Sequence, residues 1–441
     1  MPQIGFLADD LTGAGDVLAQ AHALGLDAAL VLDPERVSST TGDVVGIAGP
    51  ARSLAGEELD GAIRAGLAQL AGLDLTVLLY KVCSTFDSSP TIGSIGRAIE
   101  LMHERFPGHG PIPVVPAQPD FGRYTAFSHH FGVHHGLIHR LDRHPVMSHH
   151  PATPMREADL RLVLASQLAG RPAIPGLHLP AYSDGSFSAQ WKQLRAGGDE
   201  AFVVDAVDEA HMDAVAAALC EDRTPTRTPL VVGSGGIMAA LARRSGEPRR
   251  PEAPSAASGP TLVVSASASA TTDAQIADAV SHGWVEIAIP PEAITSEAAA
   301  SESLRAVEAA LGDGHDVIAH TTRGPADPRL RAAPVSSAQV GRTLGSLVRS
   351  AVRRDLTRDV VICGGDTSSH TLLALGVSEL RVAEQFVTAG PICATDAHSE
   401  LAGCRLLLKG GQVGPPDLFR RFARRTDTKS HHSLPERTNQ R

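Results

Sequence analysis

Ile4-Gly-Phe-Leu-Ala-Asp-Asp-Leu-Thr-Gly-Ala-Gly-Asp16 is a short apolar run that ends in two adjacent carboxylates and a small-residue turn. Ile4–Ala8 is too short for a helix and lacks polar alternation, which suits a strand covered on both faces of a parallel sheet. Asp9 and Asp10 then fall at its carboxyl end, where open α/β sheets place their ligands. Thr12 to Gly15 read as a tight turn, and Val17–Leu24 as the helix behind it. One carboxylate could simply cap that helix, but a cap needs only one, and Asp16 follows closely.

Working outward, apolar runs alternate with helical patterns. Strands are expected at Ala28–Leu32, Val44–Ala48, Thr76–Lys81, Pro113–Pro116, Ala201–Asp205 and Leu230–Val232, with helices such as Ala55–Leu70 and Asp208–Leu219 between them. Such spacing implies crossovers and a mostly parallel sheet. Residues 243–260 are rich in Arg, Pro, Ser and Ala and read as a linker. Beyond it the alternation resumes, with strands near Thr261–Ser265, Val285–Ile289, Asp316–His320, Val360–Cys363 and Leu406–Lys409. The expectation is two α/β domains, 1–242 and 261–425, and a disordered polar tail at 426–441.

Composition narrows the function. Lys and Arg number 39 against 49 Asp and Glu, a net charge of −10, which argues against nucleic acid as a partner. Aromatics at 4% disfavour base-stacking platforms. Five cysteines without CxxC spacing suggest reduced thiols in a cytoplasm, with Cys83 a small buried residue rather than a nucleophile. Neither a secretory signal nor an apolar run approaching ~20 residues is present, so a cytoplasmic protein without a membrane span is expected.

Two further stretches in the first half bear polar groups suited to a ligand. Tyr80-Lys-Val-Cys-Ser-Thr-Phe-Asp-Ser-Ser-Pro90 runs from a strand into a hydroxyl-rich loop, where Ser84, Thr85 and Ser88 could bind a polyhydroxylated ligand and Lys81 an anionic group. The plainer alternative is a turn that caps the next helix. Arg52 follows the third strand, where its planar donors could fork onto a substrate carboxylate. Eight histidines lie between Ser128 and Pro151, but no HExxH or cysteine partner accompanies them, and no metal site is assigned.

In the second half, three small-residue loops each follow a strand: Ser265-Ala-Ser-Ala-Ser269, Cys363-Gly-Gly-Asp-Thr-Ser-Ser369 and Lys409-Gly-Gly-Gln-Val-Gly414. Glycines let a ligand approach the backbone, and helix-start amides attract phosphates, so three together point to a nucleotide. No P-loop is present. Gly13-Ala-Gly15 and Gly233-Ser-Gly-Gly236 lack the context of a dinucleotide fingerprint, which disfavours a nicotinamide oxidoreductase.

Together the Ala-Asp-Asp-Leu-Thr-Gly-Ala start, the Lys81–Gly96 hydroxyl loop, Gly364-Gly-Asp-Thr367 and Lys409-Gly-Gly411 resemble the four-carbon acid sugar kinase family. The resemblance runs from residue 5 to about 419. It implies an active site between an acid-sugar domain and an ATP domain. Asp9, Asp10, Arg52, Lys81, Ser84 and Thr85 would lie on the sugar side, with Asp9 or Asp10 as base and the other fixing the sugar or an ATP-bound Mg²⁺. Ser267, Gly364, Gly365, Asp366, Thr367, Gly410 and Gly411 would lie on the ATP side, with Ser269 an alternative to Ser267 because Ala266 stands where the family often has glycine. Leu141-Asp-Arg-His-Pro145 and His150-Pro-Ala-Thr-Pro-Met155 look most like the branch acting on 3-oxo-isoapionate, yielding its 4-phosphate; kinases of 3-oxo-tetronate share Cys-Ser-Thr-Phe-Asp. The implied partners are a small acid sugar, ATP and, for a homodimer, a second copy. The rival readings are a sugar-acid and nucleotide sensor without catalysis, and the oxidoreductase.

Overall fold

The computed structural model describes residues 3–150, 153–168, 174–249, 255–331 and 335–424; the tail expected at 426–441 lies outside them. The first half contributes β1 (Gln3–Ala8), β2 (Ala28–Val31), β3 (Val44–Ala48), β4 (Leu75–Lys81), β5 (Ile112–Val115), β6 (Arg123–Ala126), β7 (His129–His134), β8 (Leu137–Arg140), β9 (Gly176–Leu177), β10 (Ala201–Val204) and β11 (Leu230–Gly233). The second contributes β12 (Thr261–Ser265), β13 (Val285–Ala288), β14 (Val317–His320), β15 (Asp359–Cys363), β16 (Glu379–Val387), β17 (Gly390–Thr395) and β18 (Arg405–Lys409).

The two halves share one sheet of 15 strands, ordered β13-β14-β12-β15-β18-β17-β16-β2-β3-β1-β4-β11-β5-β10-β9. Its two ends are parallel blocks, as the alternating pattern predicts. The antiparallel hairpin β16–β17 joins them, with Leu380 opposite Leu30 of β2 and Ile392 opposite Leu407 of β18. This hairpin was not expected from the sequence, because irregularities between Val382 and Glu384 and between Glu384 and Val387 interrupt the two-residue alternation that marks a strand. The seam is also polar: Arg381 pairs with Asp27 at 2.7 Å, and Gln385 Nε2 donates to the Ala19 carbonyl.

Each block reverses its strand order at its first strand. In the first, β1 sits between β3 and β4; in the second, β12 sits between β14 and β15. Loops leaving β1 and β4, and those leaving β12 and β15, therefore diverge and open a crevice at the strands' carboxyl ends.

Helix α1 (Leu11–Ala23) corrects the expected turn. It starts six residues before Val17, because the Asp10 carboxylate accepts the Gly13 amide at 2.6 Å and caps it. Gly13 lacks room for a side chain, since a Cβ there would lie 2.6 Å from Asp10 Oδ1 and 3.0 Å from Lys81 Nζ. Ala14, Val17, Leu18 and Ala21 bury α1 in an apolar core that continues to Leu372, Leu380 and Cys393 of the second half. Helix Gly235–Ser245 likewise extends three residues into the expected linker, where Arg243 pairs with Glu209 and Asp213.

A separate sheet, β6-β7-β8, was also missed. Its first turn places Phe127 and Ser128 at φ 50° and 62°, without the glycine that usually signals a hairpin. The buried Asp205 carboxylate holds that turn by accepting both amides, at 2.6 and 2.8 Å. Among the described residues, no helix is long and apolar enough to cross a membrane.

Strand spacing at the site depends on Gly46, which lies opposite Phe6 and has no room for a Cβ: its nearest ring carbon would be 2.0 Å away. Gly46→Ala should lower the chemical unfolding midpoint by the equivalent of about 1–3 kcal/mol; an unchanged midpoint would contradict this packing.

Candidate active site

Asp9 and Asp10 leave β1 side by side, almost wholly buried. Two such carboxylates repel each other and lose hydration, so a cation must accompany them. Arg52, after β3, supplies it: Nε and Nη2 fork onto Asp9 at 3.1 and 2.6 Å, and Nη1 reaches Asp10 at 2.8 Å. Burial still raises the Asp9 carboxyl above its ordinary range, with Arg52 opposing that shift. The guanidinium expected on a substrate carboxylate is thus committed to the protein's own acids. Asp10 keeps one oxygen on Gly13 and one on Arg52, which leaves acceptor capacity on each.

Lys81, at the end of β4, points inward. Its Nζ donates to the Val82 carbonyl at 2.9 Å and lies 3.9 Å from Asp16. Asp16 also accepts from Gln118 Nε2 at 3.2 Å, while burial raises its carboxyl. In the hydroxyl loop, Thr85 Oγ1 donates to Asp87 at 2.8 Å and lies 2.9 Å from the Cys83 sulfur. Burial pushes that thiol up to about 11, so it stays protonated and unreactive at neutral pH. Phe86 occupies the left-handed region at φ 57° within this buried loop.

Of the histidine cluster, His130 bears on the loop directly. It is fully buried; Nε2 donates to the Ser84 carbonyl and Nδ1 accepts from Thr125, both at 2.8 Å. Sequence reasoning found the cluster but not this role, which depends on β7 crossing the loop. Among the described residues, no group of three His, Cys, Asp or Glu side chains could hold a metal ion.

The second half brings its three loops together at the ends of β12, β15 and β18. Ser267 Oγ lies 3.0 Å from Thr272 Oγ1, and Lys409 Nζ donates to Thr272 at 2.7 Å and to the Gly410 carbonyl at 3.0 Å. Burial lowers the Lys409 ammonium to about 8. Ser269 instead caps helix Ala270–Ser281 by accepting the Thr271 amide. A Cβ on Gly411 would lie 3.2 Å from Ser267 Oγ and 3.0 Å from Ser269 Cβ. Gly364, at φ 125°, and Gly365 lead into helix Asp366–Ala374, which includes Thr367; the Asp366 side chain lies outside the described residues. Lys409 and Thr272 were missed as site residues, although Lys409 stood in the glycine motif.

The halves meet at Thr12 and Gly410. A Cβ on Gly410 would fall 2.4 Å from Thr12 Cγ2, so the glycine loop of one half lies against the carboxylate-bearing turn of the other. The carboxylate-bearing turn of the first half and the glycine loop of the second thus lie in direct contact.

Burial lowers His130 to about 4, against 6.5 for a free histidine. The unfolded chain therefore binds a proton more readily, and the contribution of His130 to stability, full above pH 6.5, should fall by roughly 3 kcal/mol as pH drops through 4. Urea midpoints across that range should show the loss, and His130→Gln should lessen it, with the buried His109 and His144 supplying the remainder; equal slopes would contradict a neutral buried imidazole.

The family model described as a sugar-binding N-terminal domain matches residues 4–241, and that of a nucleotide-binding C-terminal domain matches residues 262–419. The 3-oxo-isoapionate kinase of Paraburkholderia graminis is 35% identical, over 94% of this chain and 93% of its own. The 3-oxo-tetronate kinase of Cupriavidus necator is 29% identical, over 95% and 96%. A crystal structure from Salmonella typhimurium LT2 superposes with TM-score 0.75 at 25% identity, covering 96% of this chain and 98% of that one. With both domain models matched in order and a kinase relative aligned over nearly its whole length, the chain belongs to the four-carbon acid sugar kinase family.

Proposed function

We propose that this kinase transfers the γ-phosphoryl group of ATP to a hydroxyl of a small keto acid sugar, with 3-oxo-isoapionate the leading substrate and 3-oxo-tetronate the second. The sugar would bind to residues 1–242 and ATP to residues 261–425. The supporting observation is the approach of Gly410 to Thr12, which sets a glycine loop beside the turn that carries Asp10. The order of preference follows the identities of the two relatives, 35% and 29%.

In this reading, Asp10 accepts the hydroxyl proton as the oxygen attacks the γ-phosphorus and the bond to the ADP oxygen breaks. Arg52 and Asp9 act as positioning residues that hold Asp10. Ser84 and Thr85 take sugar hydroxyls, while Lys81 balances Asp16 beneath them. Ser267, the Gly364–Thr367 turn, Gly410 and Gly411 cradle the phosphates through backbone amides and hydroxyls. Such groups suffice because phosphoryl transfer mainly requires in-line positioning and neutralised charge.

Mg²⁺ would arrive with the nucleotide and neutralise phosphate charge. Arg52 forks onto both Asp9 oxygens and already balances that charge, which makes Asp9 a poor cation ligand; the donor set fits an ion held mainly by phosphates and water.

A coupled ADP-release assay over four- and five-carbon acid sugars tests the reading. Turnover with a keto acid sugar is expected; binding without turnover would favour the sensor, and a substrate-dependent change in nicotinamide absorbance the oxidoreductase. Asp10→Asn should cut kcat by about 10² or more while nucleotide still binds, and near-normal turnover would remove Asp10 from the base role. Gly410→Val should lower kcat at least about tenfold by pressing on Thr12, and lower the melting temperature as well; wild-type turnover would show that this approach is unimportant.

A further inference from the structure

We propose that Arg123 is the receptor for the substrate's carboxylate and so determines the preference for sugar acids over neutral sugars; this rests on the acid-sugar reading and deepens it. The need for another cation follows from the neighbouring charges. Arg52 is forked onto Asp9 and Asp10, and Lys81 is turned toward Val82 and Asp16. Arg123, at the start of β6, is mostly buried, yet no carboxylate among the described residues lies within ion-pair distance of it.

Its hydrogen bonding shows which edge is free. Nη1 donates to the carbonyls of Phe121, Gly122 and Val133, at 3.2, 3.1 and 3.4 Å. Nε is buried without a partner. The Nε–Nη2 edge, whose two parallel donors match a carboxylate, therefore has an unmet donor inside the protein.

The strand that carries Arg123 lies against the hydroxyl loop: Thr125, two residues on along the same face, bonds His130, and His130 bonds the Ser84 carbonyl. The guanidinium stacks over the Phe121 ring at 5.4 Å, which fixes its plane. Its charge also acts on Cys83 and Asp87 of the hydroxyl loop. A ligand whose hydroxyls bond Ser84, Thr85 and Asp87 could then present a carboxylate to Arg123. The sequence alone did not single out this residue, because β6 carries no motif and its turn has no glycine signal.

Arg123→Gln should raise KM for the acid sugar about 10- to 100-fold, leave KM for ATP unchanged, and abolish the preference for the acid over its amide or primary-alcohol analogue. Arg123→Lys, which keeps charge without the fork, should fall between; it also serves as the readable variant if the glutamine protein does not fold. An unchanged KM for the acid in either folded variant, or an equal loss for acid and neutral analogue, would overturn the proposal. Calorimetric titration of the acid sugar without nucleotide separates this from failure of the kinase reading. If wild-type protein binds the acid but turns none over, the kinase reading fails, and loss of that binding in Arg123→Gln still supports the carboxylate receptor. Equal binding by both proteins, or none by the wild type, overturns it.

Discussion

Two neighbouring carboxylates buried at the end of one strand cannot both stay charged without a cation, and the fork of Arg52 onto Asp9 and Asp10 meets that constraint. It explains why β1 and β3 must run as adjacent parallel strands, since each delivers one partner from its carboxyl end. It also explains why α1 begins at Asp10 rather than after the small-residue run: the same carboxylate takes the Gly13 amide and the arginine. One side chain is thus both helix cap and part of an ion cluster. The cap and the ion pair do not compete, because they use different oxygens.

The second half repeats the arrangement with different chemistry. Lys409 ends β18 as Lys81 ends β4, and each donates to the carbonyl of the next residue. In the first half the buried ammonium stands near Asp16; in the second it bonds Thr272, itself in contact with Ser267. One block therefore collects acids and hydroxyls, the other amides and hydroxyls. The β16–β17 hairpin and α1 lock these blocks together, so the acid and glycine loops face one another by construction of the sheet.

Most of the parallel framework was legible because its strands are continuous apolar runs separated by helical periods, as Val44–Ala48 and Thr261–Ser265 show. The β16–β17 hairpin was not, because bulges interrupt its alternation, and β6–β8 was not, because its first turn relies on tertiary support from Asp205. The same division applies to the site. Asp9, Asp10 and the glycine loops stand out locally, whereas the commitment of Arg52 to those acids, the unpaired edge of Arg123 and the clamp of His130 on Ser84 arise from residues distant in sequence.

The central claim is that a sugar hydroxyl is presented by the first half to a phosphate held by the second, across the contact between Thr12 and Gly410. A crystal structure with a keto acid sugar and a non-hydrolysable ATP analogue tests it most directly. The account predicts a hydroxyl within hydrogen-bond reach of Asp10, in line with a γ-phosphate seated on Gly410 and Gly411. A nucleotide bound away from those glycines, or a sugar whose hydroxyls do not reach Asp10, would contradict it.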